Sequence, residues 1–250
     1  MRFPKTPATA LVIMLLVTSH SDPVVADDGS RQYQVARGLY ARAQWDAAAD
    51  ELESFLHDHP NHPEAAQAQF YLGEALVQKR RYREAVLRFE TYLNARPDGS
   101  FRKQAMFRVA ECGFFGDLPT AGEQLAAFSE AFPDDRLNGL VLDYRGRIAL
   151  RQGHPDQAEV LFRQAVDRFP DGISQDQTRL GLARALEALK KPDEAERYFF
   201  ALAAKPNSPA AIEAKYRLGS LQYAEREFAS ALETFTDLDS LPASNPWVAS

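Results

Sequence analysis

The stretch "YLGEALVQKRRYREAVLRFETYLNARP", from Tyr71 to Pro97, sets two small residues, Gly73 and Ala85, among large apolar ones. A glycine inside a helical pattern costs roughly 1 kcal/mol relative to alanine, so its position needs a structural reason. Apolar residues recur at helical spacing on both sides of the polar break "QKRRY". The stretch therefore predicts two helices joined by a short turn, with Gly73 and Ala85 at the point where the helices approach closely.

The pattern of this stretch recurs along the chain with a step of 36 or 37 residues. A proline closes each unit, at Pro60, Pro97, Pro133, Pro170, Pro206 and Pro242. Eleven or twelve residues earlier stands an alanine, at Ala48, Ala85, Ala121, Ala158, Ala195 and Ala231. A large apolar residue follows it four positions later, at Leu52, Phe89, Leu125, Phe162, Phe199 and Phe235. A small residue stands near the start of each unit, at Ala36, Gly73, Ala110, Gly146, Ala183 and Gly219.

These aligned columns predict six units of helix, turn, helix and turn, at about 27–62, 63–99, 100–135, 136–172, 173–208 and 209–242. One helix pair cannot bury both of its faces, so the units must stack into a continuous all-α solenoid. Residues 243–250 resemble the start of a seventh unit, because Pro246 matches Pro209 one step earlier. We therefore expect either that the protein continues beyond Ser250 or that another chain covers this end.

The columns resemble the tetratricopeptide repeat, with an aromatic residue and then alanine early in the second helix, as in Trp45 to Ala48 and Tyr82 to Ala85. The resemblance extends from Arg31 to Pro242 and implies a right-handed α-solenoid that binds other proteins. The helices "AQFYLGEAL" and "YREAVLRFETYLNARP" are more specifically similar to the lengthened repeats of BamD-like and CpoB (YbgF)-like bacterial envelope proteins. The chain differs from the first group in having no cysteine to carry a lipid, and from the second in having no leading coiled coil.

The first 26 residues have the pattern of a secretory signal peptide. Arg2 and Lys5 precede the apolar run from Ala10 to Val17, and "VVA" ends at Ala26. The run is much shorter than the roughly 20 residues of a membrane-spanning helix. We therefore expect a cleaved signal and an exported product, periplasmic or secreted, with neither a lipid anchor nor a transmembrane segment after cleavage.

Composition and motifs disfavour several classes of function. The net charge of -6 argues against nucleic acid as a partner. Glycine-rich phosphate loops, metalloprotease motifs and nucleophile elbows are missing from the sequence, so neither catalytic residues nor cofactors are expected. Cys112, the single cysteine, lies in the apolar stretch "FRVAECGFF", which indicates an inert core thiol.

The resemblance places the inner, concave surface of the solenoid on the first helix of each unit. Its exposed positions lie three before, one after and four after the small residue. In units one to three these are Tyr33, Arg37, Tyr40, Phe70, Glu74, Val77, Phe107, Glu111 and Phe114. The later units contribute Arg147, Arg184, Tyr216 and Tyr223, beside Asp143, Leu150, Leu180, Glu187 and Ser220.

Two interpretations of this aromatic row remain open. Aromatic anchors with a charged rim are typical of a peptide-binding groove, but an aromatic stripe at helical spacing is equally consistent with packing between units. The carboxylate clamp of chaperone-binding repeats would need lysine and asparagine in the first unit, where Tyr33 and Arg37 stand instead. Binding to chaperone tails is therefore not expected.

The segment "LHDHPNHPE" brings His57, His59 and His62 close together in sequence. Imidazoles are good zinc or nickel ligands, but these three lie on a turn around Pro60 with no i, i+4 pair. They are a weak metal-site candidate beside the alternative of a solvated turn.

The sequence thus predicts a non-enzymatic scaffold of the bacterial cell envelope that binds partner proteins or peptides on its concave face. The alternatives are the helical, substrate-positioning part of a longer peptidoglycan-acting enzyme and a purely structural repeat array.

Overall fold

The computed structural model describes residues 27–172, 174–205 and 208–239, and these residues form consecutive α-helices joined by short turns. The helices are α1 (Asp28–Ala41), α2 (Trp45–Asp58), α3 (Ala65–Gln78), α4 (Tyr82–Ala95), α5 (Arg102–Phe115), α6 (Ala121–Ala131), α7 (Asn138–Arg151), α8 (Pro155–Arg168), α9 (Gln175–Ala188), α10 (Pro192–Ala203), α11 (Pro209–Ala224) and α12 (Phe228–Asp239). The predicted signal peptide at 1–26 and the predicted seventh unit at 243–250 lie outside the described residues.

Each unit contributes two helices, called the A helix (odd-numbered) and the B helix (even-numbered). Every helix packs against the next one in sequence. The A helices of neighbouring units also contact each other, as α1 does α3 and α7 does α9. The A helices therefore lie on the inner side of the curve, and the B helices form its outer side. The predicted all-α, right-handed solenoid is confirmed.

The close approach of the two helices in a unit depends on a ring packed against a glycine. A Cβ atom added to Gly73 would lie 2.8 Å from two ring atoms of Phe89, closer than non-bonded carbons approach each other. Gly146 faces Phe162 and Gly219 faces Phe235 in the same way. Gly73 is thus needed because the ring of Phe89 occupies the space of its missing side chain.

The partner of each small residue varies in size along the solenoid. Units two, four and six pair glycine with phenylalanine, whereas units one and three pair alanine with leucine. Unit five pairs Ala183 with Phe199, and its additional Gly181 lies against the ring of Phe162 from the preceding unit. The pairs of the other five units therefore keep a roughly constant volume at the helix contact, which preserves packing density, and unit five has the one larger pair.

A residue in the left-handed conformation ends the A helix of every unit. These residues are Ala43, Arg80, Asp117, Gly153, Lys190 and Arg226. The following backbone N–H returns to a carbonyl of the helix, as Arg81 N–H does to Leu76 O at 2.9 Å. This geometry is typical of a Schellman motif, and only Gly153 adopts it without the cost of a side chain.

The buried side chains form three clusters along the chain. The first runs from Tyr33 to Cys112, the second from Phe107 to Tyr144, and the third from Ala149 to Leu218. The small middle cluster surrounds α6, which is three residues shorter than α4 or α8. Cys112 is fully buried, and burial raises the pKa of its thiol to about 12, so the predicted inert core thiol agrees with its surroundings.

None of the helices in the described part of the chain combines the length and the apolar character needed to cross a membrane.

The packing of Gly73 predicts opposite effects for two glycine-to-alanine substitutions. Gly73→Ala should lower the free energy of unfolding by about 1–3 kcal/mol, because overpacking against Phe89 outweighs the gain in helix propensity. Gly122→Ala in α6 should raise it by up to about 1 kcal/mol, since nothing lies within 4 Å of the added Cβ. Urea unfolding followed by circular dichroism measures both, and a stabilised Gly73→Ala variant would contradict the packing argument.

Candidate functional site

The candidate site is the surface that the A helices present on the inner side of the solenoid, called the inner face below. Contacts between neighbouring A helices bring side chains from successive units side by side. Those that form the polar contacts of the inner face are Arg37, Tyr71, Glu74, Arg108, Glu111, Tyr144, Arg147, Arg184, Glu187, Glu213 and Arg217.

An arginine packed on tyrosine rings forms the first part of the inner face. The guanidinium carbon of Arg37 lies 4.1 Å from the ring centre of Tyr71, a cation–π distance. Arg37 also donates to the hydroxyl of Tyr33 at 3.3 Å, and Tyr40 meets Tyr71 edge to face at 5.1 Å. The half-buried Tyr40 and Tyr71 thus offer accessible ring surface beside a fixed positive charge.

Arg108 is the centre of a hydrogen-bond network that links three successive units of the inner face. Its guanidinium binds both carboxylate oxygens of Glu74, at 2.7 and 3.0 Å, and donates to Glu111 at 2.6 Å. The hydroxyl of Tyr144 donates to the other oxygen of Glu111 at 3.3 Å. Although burial opposes the charge, the hydrogen bonds and carboxylates of Glu74 and Glu111 hold the pKa of Arg108 above its ordinary value. Burial and the nearby Glu111 raise the pKa of Tyr144, which keeps its hydroxyl protonated.

In the C-terminal part of the inner face, an arginine again binds one glutamate of its own A helix and one of the preceding A helix. Arg217 donates to Glu187 of the preceding A helix and to Glu213 of its own helix, both at 2.7 Å. Arg184 lies 3.7 Å from Glu213, too far for a hydrogen bond, and remains exposed. Arg184 is therefore the guanidinium here with the most capacity to bind a ligand.

Several predicted groove residues are core residues in the structure. Tyr33, Phe70 and Phe107 are 1%, 6% and 7% exposed, and each packs on an aromatic ring of its own B helix. Phe70 also stacks on Phe101 with ring centres 4.4 Å apart. Of the two interpretations of the aromatic row, packing fits these three residues, because the B helix covers the position three before the small residue.

Of the other predicted residues, some are buried in contacts with neighbouring side chains and others are partly or fully exposed to solvent. Phe114 is buried against the ring of Tyr144, and Glu74 is buried in the Arg108 cluster. The partly exposed members are Arg37, Tyr40, Val77, Glu111, Arg147 and Tyr216, and the exposed ones are Arg184 and Tyr223. The inner face therefore presents the positions one and four after the small residue to solvent more than the position three before it.

Five residues of the inner face were not predicted from the sequence, and one of them, Glu213, stands six positions before Gly219. The other four, Tyr71, Arg108, Tyr144 and Arg217, all stand two positions before the small residue. The same counting that identified the other three positions would have found this one. Because two of these four residues are tyrosines and two are arginines, no single residue type marked this position as part of the inner face.

The three histidines do not come together as a metal site. His62 is largely buried and lies 3.3 Å from both Asp27 Oδ1 and Ser30 Oγ at the start of α1. His59 packs on Phe55, and His57 is exposed. Among the described residues, no group of three histidine, cysteine, aspartate or glutamate side chains is arranged to hold a metal ion. His62 instead attaches α1 to the next unit.

Asp143 occupies a buried position that is aromatic or leucine in the other five units. Its carboxyl is 1% exposed, and neither oxygen accepts a well-aligned hydrogen bond from a described residue. Burial raises the pKa of Asp143, although Arg147, 2.9 Å away, and Thr178 of the next A helix favour the charged form. The ionised carboxylate therefore weakens the contact between units four and five.

Comparison with known proteins identifies the repeat. Two family models described as tetratricopeptide repeat match residues 33–100 and 149–211, and together they span a little over half of the chain. None of the curated protein sequences matches the chain.

Solved structures with a similar fold share little sequence with the chain. A tetratricopeptide repeat protein from Parabacteroides merdae has 16% identity and a TM-score of 0.65, over 86% of this chain and 80% of that one. PilF from Pseudomonas aeruginosa has 16% identity and a TM-score of 0.63, over 88% and 95%. YrrB, described as a repeat protein of this kind with an unusual peptide-binding site, has 15% identity and a TM-score of 0.57, over 80% and 97%. At these identities the likeness shows the fold alone.

The burial of Asp143 predicts a pH-dependent gain from Asp143→Asn. Because its pKa in the folded state lies above the ordinary 3.8, ionisation costs stability, and that cost grows as the pH rises from about 3.8 through the folded-state pKa. The variant should melt at a higher temperature than the parent at pH 7.5, with the difference shrinking towards pH 4. Thermal unfolding followed by circular dichroism at both pH values measures this.

Asp135→Asn is the matched control, with the opposite sign. The hydrogen bonds from Lys103 and from the N–H of Leu137 hold the pKa of Asp135 below its ordinary value. Its contribution to stability is present above about pH 3.8 and is lost as the pH falls through the folded-state pKa. The control should therefore melt lower than the parent at pH 7.5. Equal shifts in both variants would contradict the assignment for Asp143.

Proposed function

Since the chain belongs to the tetratricopeptide-repeat family, we propose that it is a non-enzymatic scaffold that holds partner proteins or peptides on its inner face. The observation that carries this proposal is the continuous polar and aromatic surface of the A helices. Arg37, Arg108 and Arg217 are each held by neighbouring side chains from the same or an adjacent unit. A surface ordered in advance loses less conformational entropy when a partner binds.

The chemistry of the inner face suits an extended peptide that contains both apolar and charged side chains. Tyr40 and Tyr71 supply accessible ring surface at one end, and tyrosine and arginine are enriched in the residues that dominate binding energy. Arg184 supplies an exposed guanidinium nearer the other end. The description of YrrB as a peptide-binding repeat protein supports peptide as the class of ligand. The ion pairs of the Arg108 cluster would orient the central part of the peptide by charge.

We place this scaffold in the bacterial cell envelope, outside the cytoplasm. The support is the sequence of residues 1–26, with its basic start, apolar run and small residue at Ala26. The similarity of its helices to the repeats of BamD-like and CpoB-like envelope proteins points in the same direction. Partners would accordingly be proteins or peptides of the envelope.

The inner-face proposal predicts that two substitutions weaken partner binding without unfolding the protein. Peptides selected by phage display on the full exported chain are the ligands, and fluorescence anisotropy measures their affinity. Tyr40→Ala or Arg184→Ser should weaken binding by about tenfold, the loss of one important contact. Arg184→Ser should leave the melting temperature nearly unchanged because its side chain is exposed. Tyr40→Ala should lower it but leave the protein folded, because the half-buried ring loses its edge-to-face contacts with Trp45 and Tyr71.

Arg83→Ser in the outer helix α4 is the matched control, because Arg83 is also an exposed arginine and lies on the other side of the solenoid. It should bind the selected peptides as the parent does. If Arg83→Ser weakens binding and the inner-face variants do not, the peptides bind elsewhere and the proposed site is wrong.

The envelope proposal predicts cleavage after Ala26. N-terminal sequencing of the protein purified from the envelope fraction should begin at Asp27 or within a few residues of it. Asp27 would then be the first residue of the mature chain, where its carboxylate caps α1 by accepting from the N–H of Ser30. A cytosolic protein that retains Met1 would overturn this assignment.

A further inference from the structure

A cavity of about 490 Å³ opens on the outer side of the solenoid, between units four and five. It is lined by Arg163, Arg179, Glu194, Arg197, Tyr198, Ala201, Leu202 and Lys205. Most of these residues belong to α10, with one each from α8 and α9. Its volume lies within the range of pockets that enclose small ligands or single peptide side chains. The cavity shares no residue with the inner face.

The lining of the cavity is positively charged, although the whole chain is acidic. Four cationic side chains face one carboxylate, that of Glu194. The chain as a whole carries a net charge of -6. A concave site lined by one sign of charge concentrates ligands of the opposite sign. The cavity is therefore an attractive site for an anionic group.

Two of the four cations form no hydrogen bond to a carboxylate of a described residue. Arg163 is bound to Glu159 and Glu194, and Lys205 is bound to Asp176. The nearest carboxylate oxygen to Arg179 is 3.8 Å away, beyond hydrogen-bond distance. Arg197 is exposed and forms no ion pair with any residue that the structure describes. The planar guanidinium fork matches a carboxylate in a bidentate manner.

The cavity also has an apolar floor. Leu202 is 1% exposed, and the ring of Tyr198 and the methyl group of Ala201 complete the lining beside it. An apolar floor with a few convergent polar groups is the usual composition of a binding pocket. A ligand that fits must therefore carry an apolar group as well as an anion.

This combination occurs in one unit only. The residues that correspond to Arg179 in the other units are Gln32, Gln69, Met106, Leu142 and Lys215. Those that correspond to Arg197 are Asp50, Leu87, Glu123, Val160 and Glu233. Unit five alone has arginine at both positions, so the cavity is a local feature and not a consequence of the repeat.

We infer that this outer cavity binds an acidic peptide segment, with a leucine-like side chain on the apolar floor and an adjacent carboxylate held by Arg179 and Arg197. The proposal commits to a peptide because the cavity is lined mostly by α10, whose Arg197 and Ala201 are exposed. An acidic segment with one apolar side chain supplies both the anion and the apolar group that this lining can bind. It would give the scaffold a second binding surface, independent of the inner face.

The test uses the full exported chain and a short fluorescein-labelled peptide composed of glutamate and leucine. Fluorescence anisotropy should show saturable binding that weakens as salt rises, because the contact is electrostatic. Arg197→Glu should weaken it at least about tenfold by reversing one contacting charge. Ala201→Trp, which fills the cavity from an exposed helix position, should weaken it to a similar extent. Circular dichroism confirms that both variants fold.

Two controls make the result decisive. Arg83→Glu changes the charge of the chain by the same amount at an exposed position of the outer helix α4, outside both the cavity and the inner face, and it should bind the peptide as the parent does. A peptide composed of lysine and leucine should not bind. The proposal is overturned if the acidic peptide does not bind, if the lysine peptide binds equally well, or if Arg197→Glu and Ala201→Trp both bind it as the parent does. None of these results would affect the inner-face proposal, which is tested with Tyr40 and Arg184.

Discussion

A large apolar B-helix side chain, phenylalanine in four units and leucine in two, packs against a small A-helix residue, and the solenoid depends on this contact. In unit two this is Phe89 against Gly73, at a distance that leaves no room for a Cβ atom. The contact sets how closely the two helices of a unit approach, and its repetition at each step makes the units alike in shape. Because each unit exposes an apolar side to the next, the regular spacing of these contacts also determines how the A helices line up along the inner face.

Once the A helices are aligned, polar side chains from neighbouring units meet, and those that are buried need hydrogen-bond or ion-pair partners there. Glu74 is almost fully buried, and a buried carboxylate without a partner would be strongly destabilising. Arg108 of the next unit supplies that partner with two parallel hydrogen bonds. The inner face is therefore both part of the interface between units and a surface for ligands. The exposed guanidinium of Arg184 and the accessible part of the Tyr40 ring are left to contact a partner.

The solenoid differs most from unit to unit where function is proposed. The inner face carries an Arg108 cluster in the centre and an Arg217 cluster further along. The outer side carries a cationic cavity between units four and five. Asp143 replaces an apolar residue at the contact between units four and five. A repeat needs only a few positions for its fold, so the remaining positions can specialise without changing the architecture.

The amino-acid sequence by itself determined the helical repeat, its step and the pairing of small and large residues, because periodicity and residue size are local properties. It could not decide whether the residue three positions before the small residue faces solvent or the core. Phe70 lies in the core because Phe89 and Tyr92 of α4 and Phe101 before α5 surround it. Nor did it indicate the left-handed turn residues, since alanine, arginine, aspartate and lysine hold a conformation usually taken by glycine. The Arg108 cluster and the outer cavity likewise exist only where helices more than thirty residues apart meet. Burial and charge pairing depend on what a neighbouring helix brings to the contact, and only the tertiary structure decides that.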